Sequence, residues 1–141
     1  MKRTATAVWN GSGKEGSGKL TTQSSTLKQT PYSYKSRFEE GTGTNPEELI
    51  AAAHAGCFSM KLSFVLGAAG FTPENIETTS AVSLEEGVIK SSQLSVKASV
   101  PGISEDQFLQ YAEEAKATCP VSKALNVQIT LNASLVSMAN A

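Results

Sequence analysis

The chain has 141 residues, 12 basic and 13 acidic side chains, and a net charge of −1. This length predicts one domain, residues 1–141, and the near-neutral charge gives no electrostatic basis for binding nucleic acid or a membrane surface. The first residues lack the apolar core of a signal peptide, which favours a cytoplasmic location, where the two cysteines would not form a static disulfide.

Three β-strands are expected in the first forty residues. Residues 4–10 are rich in threonine, alanine and valine, and residues 19–23 form a returning strand after a loop rich in glycine and serine. Residues 32–38 alternate strictly, with the aromatic side chains on one face and Arg37 on the other. This alternation predicts the third strand.

A long helix is expected next. Asn45 is a suitable N-cap, Pro46 fits the first helical position, and Glu48 lies three residues after the cap. Only one full charge occurs between residues 49 and 73, so the helix is predicted to be buried. It would be about 36 Å long. Four polar side chains argue against a membrane span: His54, Ser59, Lys61 and Ser63.

The second half of the chain predicts two strands, two helices and a last strand. Residues 76–84 and 88–100 flank a Glu-Gly turn and favour a hairpin. Ser104 begins a helix with a capping box, and Cys119 begins a short helix with proline at its first position. Residues 127–135 alternate as a strand.

This order predicts an α+β fold with a largely antiparallel sheet wrapped around the long central helix. Hairpins rather than crossovers are expected to connect the strands. One face of the sheet would cover one side of the helix. Because the other side would stay bare, a second copy of the chain is expected to cover it in a homodimer.

The two cysteines are the first candidates for chemistry. Cys57 lies in the middle of the long helix, where a cysteine is more often a small apolar core residue. Cys119 lies at a helix N-terminus, where backbone N–H groups and the helix dipole stabilise a thiolate. With no third thiol in the chain, the pair suggests a nucleophile and a resolving cysteine. The spacing leaves open which one attacks, and the dipole argument favours Cys119.

Arg37 and Glu47 could assist a thiolate, although a solvated arginine and a first-turn helix glutamate are the simpler interpretations. Glu47 and Cys57 are ten residues apart, or about 15 Å along one helix, and would not meet within one chain. Two helices that cross antiparallel at residues 51–53 would bring Glu47 of one chain beside Cys57 of the other. We therefore expect composite sites at a dimer interface.

His54 lies three residues before Cys57, on roughly the same face of the helix. It could act as a base for that thiol, or join both cysteines in a metal site. A buried histidine with satisfied hydrogen bonds is the simpler interpretation. Three soft ligands are too few for a structural zinc site.

Seven segments resemble the osmotically inducible protein C (OsmC) family of peroxidases, which is related to the organic hydroperoxide resistance proteins. They run nearly from end to end and include both cysteines: WNG at 9–11, RFE at 37–39, GTNPEEL at 43–49, AAHAGCFSM at 52–60, GFTP at 70–73, VPGI at 100–103 and ATCPVS at 117–122. The position of the arginine resembles the OsmC branch, because the sister branch carries its arginine nearer the N-terminus.

The resemblance implies an intertwined homodimer and a thiol peroxidase that prefers organic hydroperoxides to hydrogen peroxide. It makes Cys57 the peroxidatic cysteine and Cys119 the resolving one, against the dipole argument, with Arg37 and Glu47 as the pair that activates the thiol. A dithiol, such as a lipoyl protein, is implied as the reductant, and neither cofactor nor metal is implied. Four apolar side chains are expected to form walls for an alkyl group: Phe38, Phe58, Leu62 and Phe64.

Two other functions stay open on the residues alone. One is a non-enzymatic dimeric thiol switch, in which oxidation of the two cysteines alters a surface for a partner without turnover. The other is a thioesterase in which a sheet also wraps a long helix. The thioesterase would give the cysteines no role, so the joint presence of Arg37, Glu47, Cys57 and Cys119 favours the peroxidase.

Overall fold

The computed structural model describes residues 1–136. The chain forms two compact units, one from Met1 to Leu49 and one from Ile50 onward. The prediction of a single domain over residues 1–141 stays a prediction, and its last five residues lie outside those described.

The first unit contains a three-stranded antiparallel sheet in the order β1-β2-β3. Its strands are β1 (Ala5–Asn10), β2 (Ser17–Thr22) and β3 (Thr30–Tyr32). The rings of Trp9 and Tyr32 lie 5.4 Å apart, centroid to centroid. A side chain at Gly18 would collide with both rings, so only glycine lets them approach each other on this sheet.

The predicted strand over residues 32–38 is wrong, because β3 ends at Tyr32 and a short helix α1 (Tyr34–Phe38) follows. Ser33 caps this helix: its hydroxyl accepts a hydrogen bond from the backbone N–H of Ser36, at 3.2 Å. The hydroxyl of Ser36 accepts one in return from the N–H of Ser33, at 2.8 Å. This capping box outweighs the alternation and places Arg37 on a helix.

The long helix α2 (Pro46–Ala68) begins and ends close to the predicted positions. The side chain of Asn45 accepts a hydrogen bond from the N–H of Glu48 at 2.7 Å, which confirms the N-cap. Gly43, just before the cap, has φ near +105° and lies against the carbonyl of Pro31. A larger residue would fit neither the backbone nor the space.

The second unit contains the sheet β4-β5-β6. Its elements are β4 (Asn75–Glu85), β5 (Val88–Ser99), α3 (Glu105–Thr118), α4 (Pro120–Ala124) and β6 (Gln128–Leu135). The hairpin between β4 and β5 is confirmed, with positive φ angles at Glu86 and Gly87. The capping box of Ser104 with Gln107 is also confirmed.

The expectation of hairpins throughout is wrong for the last strand. β6 runs parallel to β5, and parallel neighbours require a crossover, here made by α3 and α4. The other strand pairs within the described residues are antiparallel. The predicted α+β fold with largely antiparallel pairing is therefore confirmed.

In a single protomer, helix α2 is buried along one stripe only. From His54 onward its buried side chains recur every four residues, at His54, Phe58, Leu62 and Leu66. The apolar ones form one cluster with residues of β5 and α3: Leu94, Val96, Ala98, Phe108, Ala112 and Ala115. The opposite side is bare, as predicted, with Met60 66% and Phe64 70% exposed.

By length and composition alone, Pro46–Ala68 would pass as a membrane span, with a mean hydropathy of 1.6 over an 18-residue window. The four polar side chains do not lower the hydropathy enough to exclude a membrane span, contrary to the prediction. However, His54 on this helix is fully buried and hydrogen-bonds side chains of β5 and α4. These contacts are those of a core helix in a folded unit.

Candidate active site

The second unit brings the two cysteines into contact across 62 residues of sequence. The Sγ atoms of Cys57 and Cys119 lie 2.7 Å apart, with the Cys119 thiol donating to Cys57, and both cysteines are free thiols. Cys119 is fully buried, while Cys57 is half-buried. A disulfide between them would need little movement of the backbone.

Two helix ends position Cys119. Its backbone N–H donates to the carbonyl of Ala115 at 2.9 Å and closes α3, and Cys119 is also the N-cap of α4. Pro120 occupies the first position of α4, as predicted. The thiol makes no capping hydrogen bond to the backbone of that helix, so it is free to contact Cys57.

The protein environment shifts the pKa values of the two thiols in opposite directions. Burial raises the pKa of Cys57 and the hydrogen bond with Cys119 raises it further, against smaller lowering effects that include the charge of Lys61. Burial also raises the pKa of Cys119, but the contact with Cys57 and the nearby polar groups of Ser122 and Val121 outweigh burial and lower the pKa. In this protomer, therefore, the negative charge favours Cys119, the thiol that the dipole argument selects.

An apolar cavity of about 250 Å³ opens beside the thiol pair. It is lined by Cys57, Met60, Lys61, Phe64 and Pro120. Three of the side chains expected to form apolar walls belong to the second unit, and of these Phe64 lines this cavity. Phe58 and Leu62 are fully buried in the core, so their prediction as pocket walls is wrong.

In the first unit, Arg37 and Glu47 form an ion pair. The Nε and one terminal nitrogen of Arg37 each lie 3.0 Å from Oε1 of Glu47. Both contacts go to a single oxygen of the carboxylate. Oε2 of Glu47 is buried without a hydrogen-bond partner among residues 1–136. The pair borders a cavity of about 240 Å³ whose aromatic lining comes from Trp9, Tyr32, Tyr34 and Phe38.

His54 has two hydroxyl partners, which confirms the simpler interpretation of a buried histidine with satisfied hydrogen bonds. Nδ1 lies 2.6 Å from Oγ of Ser92, and Nε2 lies 2.7 Å from Oγ of Ser122. Burial lowers the pKa of His54, so the ring is neutral near pH 7. Sequence reasoning missed both serines. Ser122 carried one signal, its place three residues after the N-cap Cys119.

No group of three or more histidine, cysteine, aspartate or glutamate side chains is arranged to hold a metal within residues 1–136. Two thiols in contact beside a half-open cavity are instead typical of thiol-dependent redox proteins.

Comparison with known proteins places the chain more narrowly. Residues 39–134 match the family model described as OsmC-like protein. The chain is 49% identical over 135 residues to Peroxiredoxin OsmC of Escherichia coli (strain K12), which covers 93% of this chain and 94% of that protein. The chain belongs to the OsmC-like family.

Other relatives extend the likeness to the organic hydroperoxide resistance proteins. Organic hydroperoxide resistance protein-like 1 of Staphylococcus saprophyticus is 33% identical over 100 residues, 67% of this chain and 71% of that protein. The solved structure of OhrB of Bacillus subtilis has a TM-score of 0.69 at 26% identity, covering 93% and 98% of the two chains. An OsmC-like protein from Mycoplasma pneumoniae shares the fold, with a TM-score of 0.76 at 17% identity, covering 96% and 98%.

Proposed function

We propose that this protein is a thiol peroxidase of stress defence that reduces organic hydroperoxides to alcohols, and hydrogen peroxide less well. The observation that carries the proposal is the contact between Cys57 and Cys119 beside an apolar cavity. Peroxiredoxin OsmC and the organic hydroperoxide resistance proteins, to which the chain is similar, support the same class of activity.

The proposed reaction has three steps. The Cys57 thiolate attacks the outer oxygen of the hydroperoxide, the O–O bond breaks, and the alkoxide leaves as an alcohol after taking up a proton. Cys57 is then a sulfenic acid, and Cys119 condenses with it to a disulfide and water. An external dithiol attacks the disulfide and is itself oxidised, which restores both thiols.

Arg37 and Glu47 activate Cys57 in this proposal. The guanidinium favours the thiolate over the thiol and donates hydrogen bonds to the peroxide oxygens. Glu47 holds the guanidinium in place through the two contacts to Oε1. A nearby cation is needed because burial raises the pKa of Cys57.

A second copy of the chain brings these groups together in the proposed homodimer. Glu47 and Cys57 lie ten residues apart on a continuous helix, so they do not meet within one chain. The bare side of α2 exposes Met60 and Phe64, and the buried Oε2 of Glu47 has no hydrogen-bond partner among residues 1–136. If two α2 helices cross antiparallel, each covers the bare side of the other. The crossing also supplies a partner for Oε2 of Glu47.

The proposed reductant is a dithiol, such as a lipoyl group carried on a protein, acting in the cytoplasm. It attacks Cys57, because Cys119 has no exposed surface. Cys119 leaves as the thiolate, which its lowered pKa favours. No metal or cofactor enters this scheme, nor does a nucleic acid or a membrane.

The test is turnover of cumene hydroperoxide and hydrogen peroxide with dihydrolipoamide, in wild type, Cys57→Ser and Cys119→Ser. We expect faster turnover of cumene hydroperoxide, none in Cys57→Ser, and a trapped sulfenic acid in Cys119→Ser. Loss of the first oxidation in Cys119→Ser would reverse the roles of the cysteines. A single oxidation without turnover by any dithiol would replace the peroxidase with the thiol switch.

A further inference from the structure

Two side-chain contacts with the same spacing join helix α2 to the start of α4. Cys57 on α2 meets Cys119, the N-cap of α4, with the two sulfur atoms 2.7 Å apart. His54, three residues earlier on α2, meets Ser122 on α4, with Nε2 2.7 Å from Oγ. Because the two residues on each side are three apart, the second contact lies next to the first.

Helix α4 (Pro120–Ala124) has five residues, so its position depends on contacts with other elements. Among residues 1–136, the bond between His54 and Ser122 is the one side-chain hydrogen bond that joins a residue of α4 to another element. The carbonyl of Cys119 accepts a hydrogen bond from the N–H of Lys123 at 3.1 Å, which ties Cys119 to the first turn of the helix. A contact that fixes Ser122 therefore also fixes the backbone of Cys119.

His54 is itself held from the opposite side. Its Nδ1 lies 2.6 Å from Oγ of Ser92 on β5, and Ser80 on β4 lies 2.9 Å from the same oxygen. A hydroxyl can donate or accept, so a neutral imidazole satisfies both of its nitrogens between two serines. Since His54 is fully buried and bonded at both nitrogens, the orientation of its ring is fixed by the sheet.

We propose that His54 and Ser122 are positioning residues, which form a clamp that holds Cys119 against Cys57 while the disulfide closes. This inference rests on the proposed function. In that step the Cys119 sulfur attacks the sulfenic sulfur of Cys57, the S–S bond forms and the S–O bond breaks. The oxygen leaves as water, with the hydrogen of the sulfenic acid and the proton of the Cys119 thiol. The clamp touches neither sulfur and acts through the backbone of α4.

The clamp decides between two fates of the oxidised Cys57. A sulfenic acid either meets a thiol and becomes a disulfide, or meets a second hydroperoxide and becomes a sulfinic acid. Holding the two sulfur atoms in contact raises the effective concentration of Cys119 at Cys57. It therefore favours the reversible disulfide over irreversible oxidation.

Ser122→Ala tests the clamp, because it removes the hydroxyl that bonds His54. In a single turnover with cumene hydroperoxide, we expect disulfide closure to slow about tenfold, the factor that one buried hydrogen bond provides. Formation of the sulfenic acid should stay within about twofold of wild type. Mass spectrometry should then detect sulfinic acid at about tenfold lower peroxide. Ser122→Thr keeps the hydroxyl and should restore closure.

A second measurement needs no peroxide. The equilibrium of the two thiols with oxidised and reduced dithiothreitol reports how well the protein positions them. In Ser122→Ala the equilibrium constant for the disulfide should fall by about the same factor, because α4 must then be ordered as the bond forms. If Ser122→Ala does not fold, His54→Gln replaces it, with the same expectations for closure and equilibrium.

Ser59→Ala is the matched control. It removes another hydroxyl that links α2 to a neighbouring element, 2.6 Å from the hydroxyl of Thr78 on β4, and makes no bond to α4. Closure and the dithiothreitol equilibrium should both stay within about twofold of wild type.

Wild-type closure and equilibrium in Ser122→Ala would overturn the clamp. An equal loss in Ser59→Ala would also overturn it, since the effect would then reflect general loosening of the unit. Failure of wild type to form a sulfenic acid would overturn the proposed function instead. The dithiothreitol equilibrium distinguishes these failures, because it depends on the positions of the thiols and not on a peroxide.

Discussion

Lys61 lies one helical turn after Cys57, and both residues line the apolar cavity beside the thiol pair. It is the only charged side chain in that lining, and its charge lowers the pKa of Cys57 against the effect of burial. We therefore expect Lys61 to favour the Cys57 thiolate from the same chain, in addition to the proposed action of Arg37.

Lys61→Gln should raise the pKa of Cys57 and slow its first oxidation at pH 7 by about two- to fivefold. The pKa can be read from the pH dependence of alkylation by iodoacetamide in Cys119→Ser. Lys90→Gln, an exposed lysine on β5, is the control and should alkylate like its parent. Equal pKa values for Cys57 in the two lysine variants would contradict a role for Lys61.

His54 should make stability depend on pH. Its pKa is lowered in the folded protein from the ordinary value near 6.5, so the unfolded chain binds the proton more readily. The free energy of unfolding should therefore be highest above pH 6.5. It should fall as the pH decreases below that value, by at most about 1.4 kcal/mol per pH unit.

Urea denaturation of the reduced protein between pH 5 and pH 7.5 measures this dependence. The difference between wild type and His54→Gln isolates the histidine, because it is the only one in the chain. That difference should narrow as the pH falls through the window. A difference that stays constant with pH would mean that His54 has the same pKa in the folded and unfolded states.

At the scale of elements, two connections position the candidate residues. The crossover β5–α3–α4–β6 carries Cys119 to the junction of two helices, where it faces the long helix. In the first unit, the five-residue helix α1 presents Arg37 to Glu47. A helix this short depends on its caps, because few hydrogen bonds lie between its ends.

Ser33→Ala should remove half of the capping box of α1 and destabilise the first unit by about 1 kcal/mol. If Arg37 activates the thiol, the same change should slow the first oxidation of Cys57 by about tenfold, because the guanidinium loses its fixed position. The readout is the rate of sulfenic acid formation in the Cys119→Ser background.

Ser104→Ala provides the matched control, since it breaks the corresponding capping box of α3. It should cost a similar free energy of unfolding and leave the first oxidation unchanged within about twofold. If both variants slowed oxidation equally, the effect of Ser33→Ala would reflect general stability and not the position of Arg37.

At the scale of the whole molecule, the bare side of α2 is the main feature that one protomer leaves unexplained. Met60 and Phe64 expose large apolar side chains there, next to the cavity of the thiol pair. Exposed apolar groups of this size favour an interface. The proposed dimer would also build each active site from two chains.

Mixing two inactive variants tests the composite site. Arg37→Met and Cys57→Ser are unfolded together and refolded as a mixture. If each site takes its arginine and its cysteine from different chains, half of the dimers carry one intact site, which gives about a quarter of wild-type activity. Sites formed within single chains would give no recovery. Each variant refolded alone is the control and should stay inactive.

The sequence by itself determined the elements that local chemistry encodes. Asn45 and Pro46 start α2, and Ser104 with Gln107 starts α3, because caps act over three or four residues. The two cysteines and the resemblance of the chain to the OsmC family are likewise properties of the sequence alone. Helix α1 was not predicted, because the alternation of residues 32–38 favours a strand. The reciprocal capping of Ser33 and Ser36 makes this segment a helix instead.

Only the tertiary structure decided which residues meet. Cys57 and Cys119 lie 62 residues apart in sequence, and their contact depends on a parallel crossover that no short-range pattern predicts. The hydrogen bonds from Ser122 through His54 to Ser92 join α4, α2 and β5 for the same reason. Local patterns fix caps and periods, whereas contacts between distant side chains depend on how the elements pack.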